Sequence, residues 1–369
     1  MNIIIIKSAL KEGLGVVERA VAENQNLPIL KNVLIETKES GVLISATNLE
    51  IASSCFVAAK IINDGKTTVP LGLLWGVVNN LPTERLSMEE KGGSVEIKTD
   101  NYRAKIQTLP TEEFPIIPQI KEGEYIKMSG GFLVDAISQV VVSAQTSELR
   151  PELGSVLFYF NLDEIKLVAT DSFRLSEKTI NKNQYQTTHT ESFRLLLPIK
   201  TAQEVQKITK EDEEVFIYHD QHQVLFKTKR YSLISRLTEG NFPDYGAILP
   251  KKFETEINLN KNELINALKL AGVFSSRVNE VKIKTSPDQK SLEVFSLDQA
   301  LGDNNYVLPA KIKGATKEIS FNWRYLTDGL KTIEADGVFW GINEDNKPAL
   351  IKSQTEDSYL YVLMPILKA

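Results

Sequence analysis

The stretch "EIKLVATDSFRLS" at residues 164–176 decides how this chain is read. Ile165, Leu167 and Ala169 alternate at period two, the pattern of a half-buried strand. The strand runs into Thr170-Asp171-Ser172-Phe173-Arg174, which brings a carboxylate, two hydroxyls and a guanidinium together. Such a cluster suits either catalysis or a turn that shapes a binding corner. No histidine is near Asp171 or Ser172 in the sequence, so base-activated serine chemistry has no visible partner. Asp171 and Ser172 suit a turn held by side-chain-to-backbone hydrogen bonds, which leaves Phe173 and Leu175 to present apolar surface.

The same strand end occurs twice more. "GVLISATNLEIA" (41–52) places Val42, Ile44 and Ala46 on one face, and "SLEVFSLDQALG" (291–302) does so with Leu292, Val294 and Ser296. The offsets are 123 and then 127 residues. Each of these strands follows another across a short polar link: "KNVLIETKESG", "GSVLFYFNLD" and "EVKIKTSPDQ", which are hairpin signals. Upstream of each hairpin lies a helical spacing: Leu10, Leu14, Val17 and Val21; then Leu133, Ile137, Val140 and Ala144; then, partly, Leu264, Leu268 and Ala271. Downstream comes a second helix: "LGLLWGVVNNL" after Pro70, "IKTAQEVQKIT" after Pro198, and "NWRYLTDGLKTI" capped by Asn322. "YRAKIQTLPTEEFPIIP" and "YSLISRLTEGNFPDYGAILP" close the first two units and share a Phe-Pro 128 residues apart; "SYLYVLMPILKA" closes the third. The fold class is therefore α+β: three tandem copies of a two-helix, antiparallel-sheet domain over 1–120, 121–249 and 250–369, with linkers expected at 110–128 and 243–252. The period is far too long for a solenoid.

Composition bounds the function. Hydrophobic content of 42% and charged content of 25% describe an ordinary globular chain with enough apolar residues for real cores. No apolar run approaches the ~20 residues of a membrane helix, so no membrane partner is expected. Cys55 is the one cysteine, which excludes an intramolecular disulfide and points to a reducing cytoplasm. Its strand-like flanks make it a buried small hydrophobe. A net charge of −5 leaves room only for a local basic surface.

Three motif fragments bear on chemistry. Gly65-Lys66-Thr67 ends a phosphate-binding loop, but Lys60 stands where its first glycine belongs and Asp64-Gly65 suits a hairpin turn. "GLGVVE" (13–18) is a partial dinucleotide fingerprint with Glu18 at the third glycine position, and Gly13 and Gly15 lie inside a helical pattern. A dinucleotide-binding enzyme using this segment is the rival from another class. His219 and His222 sit near a hairpin turn in "VFIYHDQHQVLFK", which favours a solvated turn over a metal site. No cofactor is expected.

Taken in order, "LPILKNVLIE" (27–36), "ATNLEI" (46–51), "LVATDSFRLS" (167–176), "EGNFPDY" (239–245) and "YVLMPI" (361–366) resemble the bacterial DNA polymerase III beta subunit family, the sliding clamps, over essentially the whole chain. None of these stretches is a chemical motif. The resemblance implies a non-catalytic processivity factor. Two chains of three domains would form a head-to-tail homodimer, a six-domain ring around double-stranded DNA. Partners would be the DNA polymerase III catalytic subunit, a clamp-loader complex, and replication and repair proteins that dock short peptides. Carried over residue by residue, the peptide pocket would be Leu153, Thr170, Ser172, Phe173, Arg174, Leu175, Pro243, Ile248, Val362, Leu363, Met364 and Pro365. The dimer junction would join "NYRAKIQT" to an edge strand of the third domain, with Arg103 and Lys105 facing acids such as Asp298 and with Val77 meeting Val273 and Phe274. A monomeric peptide-binding scaffold is the remaining alternative.

Two stretches depart from the family. Gly246-Ala247 stand where a basic residue often follows the Phe-Pro-Asp-Tyr motif, and the chain ends Ile366-Leu367-Lys368-Ala369 rather than in a bulky residue, Arg and Leu. A DNA-facing surface has support in the residues themselves. Lys200 and Lys207 are seven apart on one helical face, and Arg324 and Lys331 repeat them 124 residues later. Unit one has Gly72 and Asn79 there. Solvated helices also carry lysines, but repetition at one offset favours a functional surface, and few phosphate contacts suit a ring that slides. Arg150 is a further candidate by resemblance.

Overall fold

The computed structural model of the chain describes residues 1–22, 26–147 and 149–367. Among them are six α-helices: α1 (Lys7–Val17), α2 (Leu71–Asn80), α3 (Gly130–Val141), α4 (Ile199–Ile208), α5 (Lys261–Val273) and α6 (Trp323–Lys331). Each third of the chain contributes two helices and a set of antiparallel strands. The alternating residues face inward as their spacing requires: Val42, Ile44 and Ala46, then Ile165, Leu167 and Ala169, then Leu292, Val294 and Ser296 are all buried. Pro70 precedes α2, where φ is preset for a helix start. Asn260 and Asn322 cap α5 and α6 by accepting two backbone N–H groups each.

In every third, the marker strand turns back on a following long strand, with one more residue in the third turn than in the other two. Ala46 lies opposite Ser53, Ala169 opposite Ser176, and Ser296 opposite Asn304. Each third then ends in a closing strand: Arg103–Gln107, Tyr231–Arg236 and Tyr359–Leu363. Two of these pair with a long strand of the preceding third, Leu233 opposite Ser53 and Tyr361 opposite Ser176. Among the described residues, Arg103–Gln107 pairs only with Ser94–Lys98, and the half of the third long strand from Gly302 to Pro309 pairs only with Ser291–Asp298.

The residues pack as two compact units. One contains Met1–Gly131, Tyr185–His189 and Glu204–Leu237; the other contains Phe132–Gln184, Thr190–Gln203 and the chain from Thr238 onward. Strands of the middle third therefore extend one sheet in each unit. The first linker is shorter than the prolines suggest. Ile126–Ser129 forms a strand paired with Tyr185–Thr187 and with Glu214–Ile217, because buried Ile126 and Met128 supply the alternation of a sheet residue.

The core of the second unit gathers Leu264, Leu268, Phe321, Leu326, Leu330, Trp340, Tyr361 and Leu363. Gly329 lets α6 lie directly on the last strand, since a Cβ there would come within 2.4 Å of the Tyr361 ring.

Candidate functional site

The Thr170–Arg174 corner is a turn closed by its own side chains. Thr170 Oγ1 donates to Arg174 O at 2.7 Å and accepts from Ser172 N at 3.2 Å. Asp171 Oδ1 accepts from the N–H groups of Phe173 and Arg174, both at 2.9 Å. These bonds hold Ser172 at φ +77°, a left-handed conformation uncommon for serine. The first third builds the same turn with different atoms. Thr47 Oγ1 donates to Ile51 O and accepts from Leu49 N, Asn48 Oδ1 accepts from the N–H groups of Glu50 and Ile51, and Leu49 takes φ +76°. An amide does the work of the carboxylate there, so the geometry needs an acceptor and not an acid.

Phe173 is thereby pushed outward and is 60% exposed. The end of the chain is pinned beside it, with Met364 N donating to Phe173 O at 2.8 Å. Together they border an open cavity of about 670 Å³. Ten of the twelve residues expected for a peptide pocket line it: Leu153, Thr170, Ser172, Phe173, Arg174, Leu175, Pro243, Ile248, Val362 and Met364. Leu363 and Pro365 do not. Strand alternation turns Val362 and Met364 to the cavity and Leu363 into the core, where it is 1% exposed, and Pro365 is buried. Lys368 and Ala369 lie outside the described residues.

The cavity also takes residues that the sequence reading did not place there, Asp244 and Tyr245 from the Phe-Pro-Asp-Tyr motif and, outside any motif, Leu249, Lys252, Asn343, Lys347 and Pro348 among them. Tyr245 packs edge-on against Phe242 at 6.2 Å, and burial together with neighbouring Glu177 pushes its phenol well above the usual tyrosine range. Gly246–Ile248 forms a short 3₁₀ turn that brings Ala247 to the wall. With a small residue there, the cations lining the cavity are Arg150, Arg174, Lys252 and Lys347.

Arg174 is the most constrained of these. Its Nε donates to Asp171 Oδ2 at 3.0 Å, one Nη donates to Asp328 Oδ2 on α6 at 2.7 Å, and the guanidinium lies 4.2 Å from the Tyr325 ring centre. Burial works against its charge, but Tyr361, Asp328 and Asp171 outweigh that and raise its pKa.

The remaining expected residues are distributed as follows. Lys200 and Lys207 are exposed on α4, Lys207 bonded to Glu204 at 3.2 Å; Arg324 and Lys331 are exposed on α6. Arg150, grouped with them by resemblance, lines the cavity and pairs with Glu152 at 3.0 Å. Arg103 and Lys105 are exposed on the closing strand that pairs on one side only with Ser94–Lys98 among the described residues, and Arg103 pairs within the chain with Glu96. Val77 is half-buried on α2, Val273 is exposed at the end of α5, and Phe274 is half-buried beside it. Asp298 Oδ1 is engaged in its own turn, accepting from Ala300 N and Leu301 N.

The motif fragments have structural roles. Lys66–Pro70 is a strand, so Gly65-Lys66-Thr67 cradles nothing. Gly13 and Gly15 lie within α1, and a Cβ on Gly13 would come within 2.4 Å of Val57, so this glycine serves helix-to-sheet packing. His219 ends a strand and stacks on His189 with ring centres 5.2 Å apart, and His222 N donates to Asp220. Cys55 is buried, and burial pushes its thiol up to about 11.

Comparison with known proteins covers the whole chain. Models of the DNA polymerase III beta subunit match in order: its N-terminal domain at residues 1–118, its central domain at 127–244 and its C-terminal domain at 246–367. A beta sliding clamp from Synechococcus elongatus is 25% identical, with 99% of each chain covered, and one from Staphylococcus epidermidis is 27% identical over 94% of each. The crystal structure of the DNA polymerase sliding clamp from Bacillus subtilis is 27% identical, covers all of both chains and superposes with a TM-score of 0.95.

Proposed function

The chain belongs to the family of bacterial DNA polymerase III beta subunits, the sliding clamps, and from that premise we propose how its residues divide the work. The family is a non-catalytic processivity subunit, which agrees with a corner whose carboxylate is a turn former. Its three clamp domains are assigned to 1–120, 121–249 and 250–369.

Two chains close a head-to-tail ring around double-stranded DNA. The observation that carries this is the pair of unmatched edges. The closing strands of the second and third repeats each pair with a long strand, whereas among the described residues Arg103–Gln107 and the Gly302–Pro309 half-strand are each open on one side. Open strand edges are association-prone and are usually covered. Two copies arranged head to tail cover both edges twice, and the interface closes on itself. The equivalences Leu233 to Tyr361 and Ser53 to Ser176, extended to Ala104 and Asn304, support one register for the proposed junction. Ala104 then faces the partner's Asn304 and Lys105 faces the partner's Asp303. Asp303 replaces Asp298 as the acid opposite the strand, with Val77 meeting the partner's Val273 and Phe274.

The cavity beside Phe173 takes the peptides by which the DNA polymerase III catalytic subunit, the clamp loader and repair proteins attach. Lys200, Lys207, Arg324 and Lys331 meet the duplex phosphates. The protein works in the cytoplasm; no helix among the described residues is long and apolar enough to cross a membrane. Sedimentation velocity tests the ring. The wild-type chain is expected to sediment as a dimer at low micromolar concentration, and a variant carrying Val273→Ala and Phe274→Asp as a monomer. A double variant that stays dimeric removes this junction.

A further inference from the structure

Helix α6 carries a carboxylate inside its basic stripe. Asp328 is four residues after Arg324 and three before Lys331, so all three share one helical face. Its side chain is 41% exposed. A bare carboxylate at that point would oppose phosphate approach. It is not bare, because Arg174 reaches it from the turn that forms the cavity wall. The Arg174 side chain is 12% exposed, and its guanidinium is divided between Asp171, Asp328 and the Tyr325 ring. The same guanidinium borders the cavity, where a peptide carboxylate or carbonyl can compete for its donors.

We propose that Arg174 is shared between the peptide cavity and the DNA-facing stripe of α6, so that a peptide drawing its guanidinium away from Asp328 loosens the grip on duplex DNA. This rests on the assignment of cavity and stripe under Proposed function. The two states differ in one contact: Arg174 on Asp328, or Arg174 on the peptide. DNA favours the first state and peptide the second, so each ligand weakens the other by the same factor. A partner arriving at the pocket thereby frees the ring to move along the duplex.

The experiment uses the intact dimer at low salt, a short fluorescent duplex, and a synthetic peptide with the C-terminal residues of the same organism's DNA polymerase III catalytic subunit. Saturating peptide is expected to weaken duplex binding about two- to fivefold, the range of a partly exposed ion pair. Arg174→Gln is expected to remove that coupling. Asp328→Asn tests it independently of the pocket walls, because Asp328 does not line the cavity. It takes away the competitor for Arg174, and peptide binding is expected to tighten by about the same two- to fivefold. Coupling absent in the wild type although both ligands bind, coupling intact in Arg174→Gln, or unchanged peptide affinity in Asp328→Asn would each overturn the proposal. Failure of the wild-type dimer to bind the peptide or the duplex overturns the assignment of the sites themselves, and the coupling with it.

Discussion

Asp171 and Asn48 occupy the same position in two repeats and accept the same pair of backbone N–H groups, at 2.9 and 2.9 Å in one and at 3.0 and 2.8 Å in the other. Asp171→Asn is therefore expected to keep the turn and to cost less than Asp171→Ala, because an amide oxygen still accepts from both N–H groups while only the buried charge pairing with Arg174 is weakened. Asp171→Ala strands two N–H groups and is expected to cost about 1–3 kcal/mol. Urea unfolding of both variants checks this, alongside fluorescence anisotropy with a partner peptide. Near-wild-type peptide binding in Asp171→Asn is the expected result; a catalytic carboxylate would not tolerate the change.

Neighbours on the last strand separate binding from stability. Phe173 and Met364 border the cavity and are solvent-exposed, so either change to Ala is expected to weaken peptide by about 2 kcal/mol, roughly thirtyfold, with little effect on melting. Leu363 faces the core, and Leu363→Ala is expected to cost about 2–5 kcal/mol of stability. Melting temperature and peptide anisotropy measured on all three variants give the contrast.

That contrast also shows what was legible in the sequence. Period-two alternation at Val42, Ile165 and Leu292 specified the strands, and repetition specified the domain plan. The Thr-Asp-Ser corner was readable because its hydrogen bonds are local. The family resemblance carries Leu363 and Pro365 into the pocket with their neighbours, whereas strand alternation sends Leu363 the other way. Asn343, Lys347 and Pro348 reach the cavity from a hairpin loop far along the chain, in a stretch with no motif. Arg174 meets Asp328 across 154 residues, and no sequence periodicity links such a pair.

The register of the proposed junction has its own test. Lys105→Asp or Asp303→Lys alone places like charges opposite each other and is expected to raise the dimer dissociation constant severalfold, since like charges directly opposite destabilise paired strands. The combined variant is expected to recover most of the loss. Sedimentation equilibrium of the three proteins checks this, and failure of the combined variant to recover places the strands in another register.

Acid should weaken the first unit through its stacked histidines. Burial lowers the pKa of both His189 and His219, and the stacked His219 lowers that of His189 further; Glu124, 3.6 Å from His189, opposes this in part at both rings, as does Asp220 at His219. Their folded-state values lie below the ordinary ~6.5. Stability from this pair is thus complete above about pH 6.5 and is lost as pH falls below it, because the unfolded chain takes up protons that the folded chain refuses. Urea midpoints at about pH 7.5 and about pH 5.5 are expected to differ more for the wild type than for His189→Gln.

Retention on circular against linear DNA tests the central claim most directly. Dimers loaded on a nicked circle are expected to persist through a high-salt wash and to leave once the circle is cut, because a closed ring is held by topology and not by phosphate contacts. Contacts alone would weaken with salt on either substrate. Equal, salt-sensitive loss from circle and linear duplex would contradict the ring.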